Sequence, residues 1–203
     1  MSTRLTPPLS ERDHVLGPRE APVELVEYGD YECAYCGMAY PIVSSILQQM
    51  GDTLRFAFRH FPLTGVHAHA ENAAEMAEIA GSRRRFWAMH DMLYRNQHAL
   101  DDRHLVAYAA QVGIDPDETA TELLSHRFAD RVREDLISGE RSGVSGTRRS
   151  SSTASATMGR GMSLTCWRHC RPPTRRPSAS AHKLSSGRGS AGGGKARSSS
   201  ARS

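Results

Sequence analysis

The sequence predicts an α/β fold: a strand–helix–strand unit, then a helical insertion, then a tail of different composition. Three observations lead there. Strand-like runs, Val23 to Tyr28 and Leu54 to Arg59, bracket a helix-like run from about Cys36 to Met50. Helical patterns then follow one another over residues 66–141. After Thr147 the apolar pattern stops, and the tail holds no Val, Ile, Phe or Tyr.

Taken in order, residues 1–13 are polar, carry Pro7-Pro8, and read as a flexible arm. His14 to Arg19 leads in. Ala21-Pro22 opens the first core strand, because proline is tolerated where a strand begins. Ile42, Val43, Ile46, Leu47 and Met50 recur at helical spacing and give one apolar face for the sheet. Pro41 is expected to kink this helix, since it removes a backbone donor. Gly51-Asp52 stops it. Leu54 to Arg59 alternates apolar and polar residues and reads as the second strand. A strand–helix–strand unit of this length implies parallel pairing with a right-handed crossover.

The helical patterns come next. Ala70 to Gly81 is alanine-rich, and Arg83 to Gln97 carries Phe86, Met89, His90, Leu93 and Tyr94 on one side. Arg83-Arg84-Arg85 reads as a solvated helix start rather than an anion patch. Asp101-Asp102 offers an N-cap for a helix through Ala110, and Gly113 suits the residue just past its end. Asp115-Pro116 opens another helix with proline in its first turn. A last helix runs from about Phe128 to Gly139 and is expected to end on that glycine.

Charge divides the chain as sharply as hydropathy does. The net charge is +4, yet all 22 acidic residues lie at or before Glu140. Residues 1–147 carry −8 and residues 148–203 carry +12. The length of 203 residues suits one domain with an appendage. No apolar run approaches the roughly 20 residues a membrane span needs. The first 17 residues lack the apolar core of a secretory signal. A cytoplasmic chain is therefore expected as written, or an extracytoplasmic one if a targeting segment has been lost.

The chemistry centres on Cys33 and Cys36, three apart where a strand passes through a turn into a helix. A helix N-terminus carries unpaired N–H groups and about half a positive charge. That field favours a thiolate, so an exposed cysteine there becomes a nucleophile near neutral pH. A second cysteine one turn on can attack the mixed disulfide and release the product. Half of a zinc site and two buried structural cysteines are the competing readings of one C-x-x-C; the strand-to-helix context favours redox chemistry. That chemistry needs no metal and no bound cofactor.

Four stretches together resemble the DsbA-like branch of the thioredoxin superfamily: APVELVEYGDYECAYC (21–36), RFAFRHFPL (55–63), HAHAENAAEMAEIA (67–80) and FWAMHDMLY (86–94). The resemblance spans about residues 14–147. It implies a thioredoxin-like fold with a helical insertion, thiol–disulfide exchange, and as partners protein thiol or disulfide substrates plus a redox partner protein. By position Cys33 matches the attacking cysteine and Cys36 the resolving one. Glu27, read alone, suits an exposed strand face; the resemblance implies instead a buried acid that relays the proton of Cys36. Ala34 departs from the proline many members carry there, a change expected to tune the potential without removing function. His60 is expected to be a hydrogen-bonded structural group. His67, His69 and Glu71 could be metal ligands, but helical spacing makes them diverge.

The family pattern breaks after Thr147. A cis proline, an apolar strand, a hairpin and a final helix are expected, but the chain reads Arg148-Arg149-Ser150-Ser151-Ser152 and stays rich in Ser, Arg and Gly. Such a tail is expected to be disordered and to leave the C-terminal strands missing. It reads as a frameshift product, from loss of one base near the Thr147/Arg148 codons. With one C restored, the codons can regroup as T-P-T-F-F-V-N-G, which returns a proline and an apolar strand to their places. Losing them would weaken substrate binding and stability. Two alternatives stand beside the enzyme: a non-catalytic fragment, and a basic-tailed nucleic-acid or zinc-binding protein. The zinc reading would join Cys166 and Cys170 to Cys33 and Cys36. The nucleic-acid reading lacks aromatic interleaving, with only Trp167 in the tail.

Overall fold

The computed structural model describes residues 5–144 in full and residues 155–158 and 162–165 as backbone. The elements are β1 (His14–Leu16), β2 (Val23–Gly29), α1 (Ala34–Met50), β3 (Leu54–His60), α2 (Ala70–Ser82), α3 (Phe86–Arg95), α4 (Asp102–Gln111), α5 (Pro116–Leu124), α6 (Ala129–Arg141), β4 (Ser155–Met158) and β5 (Met162–Thr165). Sheet order is β1-β3-β2-β4-β5. β2 and β3 run parallel in the register Val23↔Leu54 to Gly29↔His60, with α1 as the crossover. This is the thioredoxin-like α/β arrangement with a helical insertion that the sequence implies.

Both faces of the sheet are covered. On one, Leu25, Phe56 and Phe58 join Met76, Ile79, Met89 and Leu93 of the insertion. On the other, Val26, Tyr28 and Ala57 meet Phe61, Val144 and Leu136 of α6. The alternation in β3 therefore does not mark a half-exposed strand. Arg59, on its polar phase, is 2% exposed.

Local signals hold where the cap is made by the chain itself. Asp101 accepts from the His104 N–H, and Asp115 accepts from the N–H groups of Asp117 and Glu118. Gly113 follows α4 with φ +81°, a conformation that favours glycine. α1 begins two residues earlier than expected and continues through Pro41.

Three expectations are corrected. The lead-in at His14 is a short strand, antiparallel to β3. Gly139 does not stop α6 but lies inside it: a Cβ there would sit 2.6 Å from the Phe61 ring and 3.0 Å from Tyr28, so glycine serves close packing. Residues 5–13 are not a loose arm. Arg59 donates to the carbonyls of Pro7 (3.0 Å) and Pro8 (3.3 Å) and pairs with Asp13 at 2.7 Å, while the Thr6 N–H donates to Ser142 at 2.9 Å. A buried guanidinium must find acceptors, and the arm supplies them.

Two short segments of the tail lie along the open edge of β2. β4 pairs antiparallel with β2 from Leu25↔Met158 to Tyr28↔Ser155, and β5 pairs with β4. β4 and β5 span four residues each and carry no Val, Ile or Phe, and no helix follows them among the described residues, so the apolar strand and final helix of the family pattern are not what fills this edge. An open edge on β2 offers unpaired N–H and C=O groups, and a ladder needs only backbone to fill them. The Thr147/Arg148 junction, the expected place of the cis proline, Cys166, Cys170 and residues 171–203 lie outside the described residues.

Candidate active site

β2 ends at Gly29, and the turn Asp30–Cys33 feeds α1. Glycine at 29 makes room for two rings: a Cβ would come within 2.5 Å of Phe58 and 2.6 Å of the Tyr94 hydroxyl. Cys33 is the N-cap of α1, with extended backbone (φ −73°, ψ 119°), and Ala34, Tyr35 and Cys36 are its first three residues. The two cysteines thus hold the N-cap and N3 positions, whose side chains approach each other across the first turn. No acidic residue lies in that turn to compete for its positive field. The Cys33 N–H donates to the Asp30 carbonyl at 3.2 Å, and the Gly37 N–H to the Cys33 carbonyl at 3.0 Å. The hydrogen bond with Cys33, and then burial, push the Cys36 thiol well above the usual range. A thiol that holds its proton this way can donate to a thiolate at Cys33.

Contrary to expectation, Cys33 is not exposed. It and Cys36 are 2% and 4% exposed. The chain after β3 closes on the turn: Asp30 accepts from the Leu63 N–H at 2.8 Å and from His67 Nδ1 at 2.7 Å. Glu32 accepts from the His69 N–H at 2.7 Å. Tyr35 and Met38, at the start of α1, remain solvent-facing.

Glu27 is buried on the face of β2 that carries Leu25. Burial alone pushes its carboxyl up to about 7, and its charge acts on Cys36. Its Oε1 has no hydrogen-bond partner among the described residues, and neither has the buried Tyr94 hydroxyl. Sequence reasoning therefore placed Cys33, Cys36 and Glu27 in one neighbourhood. It missed Asp30 with His67, and Gln97, whose amide reaches the turn from the insertion. Burial disfavours the charged His67 ring, but the hydrogen bond and charge of Asp30 outweigh it and hold its pKa above the ordinary value. No motif announces these contacts, because each joins residues far apart in sequence.

The metal reading finds no support at His67 and His69: the first faces Asp30, and the backbone of the second faces Glu32. His60, Glu78 and Asp135 do bring ligand atoms within 4.8 Å of one another. Their charge is already met. Glu78 accepts from His14 and His60 at 3.0 Å each, and Arg131 pairs with Asp135 and lies 3.8 Å from Glu78. His60 is thus the hydrogen-bonded structural group the sequence suggests, and the Arg131 guanidinium supplies positive charge beside Asp135 and Glu78.

Comparisons with known proteins give the chain a family and its fold. A family model described as Thioredoxin matches residues 9–147. A Na(+)/H(+) antiporter NhaA 1 of Salinispora arenicola is 47% identical over 137 residues, which are 68% of this chain and 21% of that protein. The NhaA antiporter of Herminiimonas arsenicoxydans is 40% identical over 144 residues, 70% of this chain and 23% of its own length. The chain thus spans about a fifth of the length of these curated relatives. Among solved structures, BdbD from Bacillus subtilis in its oxidised form superposes with TM-score 0.67 at 20% identity, covering 80% of this chain and 86% of that one. A thioredoxin-like oxidoreductase from Silicibacter pomeroyi gives 0.64 at 21% identity, covering 75% and 83%. These structural likenesses show the fold. Among the described residues no helix is long and apolar enough to cross a membrane.

Proposed function

The chain belongs to the thioredoxin family, and from that premise we propose that it is a DsbA-like thiol–disulfide oxidoreductase domain acting on protein dithiols and disulfides. One observation carries the reading: Cys33 and Cys36 occupy the N-cap and N3 positions of α1, and a buried Glu27 lies where its charge acts on Cys36. In the reducing direction the Cys33 thiolate attacks one sulfur of a substrate disulfide. A Cys33–substrate disulfide forms, and the other substrate sulfur leaves as a thiolate and takes a proton. Cys36 then gives its proton to the Glu27 carboxylate and attacks the Cys33 sulfur. The substrate leaves with two electrons, and Cys33–Cys36 becomes a disulfide. The reverse sequence donates a disulfide to a protein dithiol. A redox partner protein would reset the pair, and the compartment's redox poise would select the direction.

A carboxyl with a pKa of about 7 suits this relay, because it can both accept and return a proton at neutral pH. Glu27 is a relay candidate rather than a group that meets substrate. The relatives are named as antiporters. Antiport would belong to the four-fifths of their length this chain does not span, with the matched segment acting as a redox module beside it. We further propose that exchange by this chain is impaired by the loss of the cis-proline loop. The family match ends at residue 147, where the sequence leaves the pattern.

Insulin reduction by dithiothreitol, and oxidation of a reduced dithiol peptide, test the reading. Turnover above background that vanishes in Cys33→Ser is expected. Equal rates with and without Cys33 would overturn it.

A further inference from the structure

Gln97 follows α3 in the helical insertion, more than 60 residues from the redox turn. Its Nε2 donates two hydrogen bonds, to the Tyr31 carbonyl at 2.8 Å and to the Cys33 carbonyl at 2.9 Å. Both acceptors are oxygens, so the amide can present only its nitrogen to them. The amide oxygen turns toward α1. A Cβ built on Gly37 would lie 1.9 Å from Gln97 Oε1 and 2.6 Å from Cδ. Gly37 sits inside the helix, so glycine is needed there for room rather than for a turn.

A carbonyl oxygen is the negative end of a dipole. That of Cys33 belongs to the same residue as the attacking sulfur and accepts one helical hydrogen bond, from Gly37. With too few donors its field opposes charge on that sulfur. A second donor weakens the opposition and also fixes the backbone that aims the sulfur.

We propose that Gln97 is a positioning residue for the redox pair: its amide clamps the Tyr31–Cys33 turn from the helical insertion and offsets the carbonyl field at the Cys33 sulfur, and Gly37 admits it. The proposal rests on the thiol–disulfide reading and names a determinant of it outside the C-x-x-C.

The test uses the full chain with Cys36→Ser, following Cys33 ionisation by thiolate absorbance. Gln97→Met removes the donor at nearly constant shape, and Gly37→Ala displaces the amide without changing it. His98→Ala, at an exposed neighbour, is the control. Both test variants are expected to raise the Cys33 pKa by about 0.5–1 unit, the scale of one hydrogen bond, which leaves roughly 3- to 10-fold less thiolate at a given pH below it. His98→Ala should titrate with the parent. A merely structural role would lower melting temperature without moving the titration. Titration of both test variants with the parent overturns the proposal. If Gln97→Met does not fold, Gly37→Ala alone decides. The difference between variant and parent judges Gln97, whereas the redox reading is judged by whether the parent exchanges disulfides at all.

Discussion

Glu27 of β2 stands in register with Phe58 of β3, and this pairing carries a carboxyl into the apolar interior. The folded carboxyl keeps its proton up to about pH 7, while the unfolded one releases it near its ordinary value of 4.5. Between those values the folded chain binds more protons, so stability falls as pH rises through the window and levels off above it. Glu27→Gln removes the loss. The variant should exceed the parent in stability at pH 8 by on the order of 2–3 kcal/mol and match it near pH 4. Urea denaturation at both pH values checks this; an equal difference at both would contradict a buried, proton-holding Glu27.

Glu78 titrates the other way. Burial raises its pKa, but hydrogen bonds and charge from His14 and His60 outweigh that and hold it well below the usual carboxylate range. Its contribution to stability is therefore present above pH 4.5 and is lost as pH falls. Glu78→Gln should weaken the protein at pH 7 by about 3 kcal/mol or more, as expected when a buried charge network loses a member. It should also flatten the acid limb of the stability profile. An unchanged acid limb would remove Glu78 from that role.

Arg59 is the tie between the sheet and the N-terminal segment. Arg59→Met would strand the Asp13 carboxylate, whose side chain is 4% exposed, at a cost of about 3–5 kcal/mol. Residues 5–13 should then detach, and trypsin should cut after Arg12 faster than in the parent. An unchanged cleavage rate would show that the arm is held by something else.

Gly139→Ala separates packing from helix termination. Alanine favours helix, so a glycine that merely tolerates helix should gain stability from the change. Contact with the Phe61 and Tyr28 rings instead predicts a loss of about 1–3 kcal/mol. The melting temperature gives the sign directly.

The junction after Thr147 has its own test in the coding DNA. One base fewer than an open frame requires is expected near the Thr147/Arg148 codons. The restored chain should melt more cooperatively than this one. A frame that reads without the apolar alternative would end the frameshift reading.

Much of the fold was legible. The strand–turn–helix at Cys33, the caps at Asp101 and Asp115 and the helical spacing of the insertion are local signals, and local hydrogen bonding decides them. Gly139 was misread, and the burial of Arg59 went unread, for one shared reason: α6 covers the second face of the sheet. A strand pattern cannot say whether a helix 70 residues downstream will return to bury its polar phase. The arm was misread because its partner is a buried guanidinium.

By itself the sequence determined where two sulfurs sit on a helix start, since spacing along one turn suffices for that. Only the tertiary structure decided that the same sulfurs are enclosed, that Glu27 lies in the interior where its charge acts on Cys36, and that an amide from position 97 holds their turn. Burial and long-range hydrogen bonds depend on which surfaces meet, and no single stretch of chain carries that information.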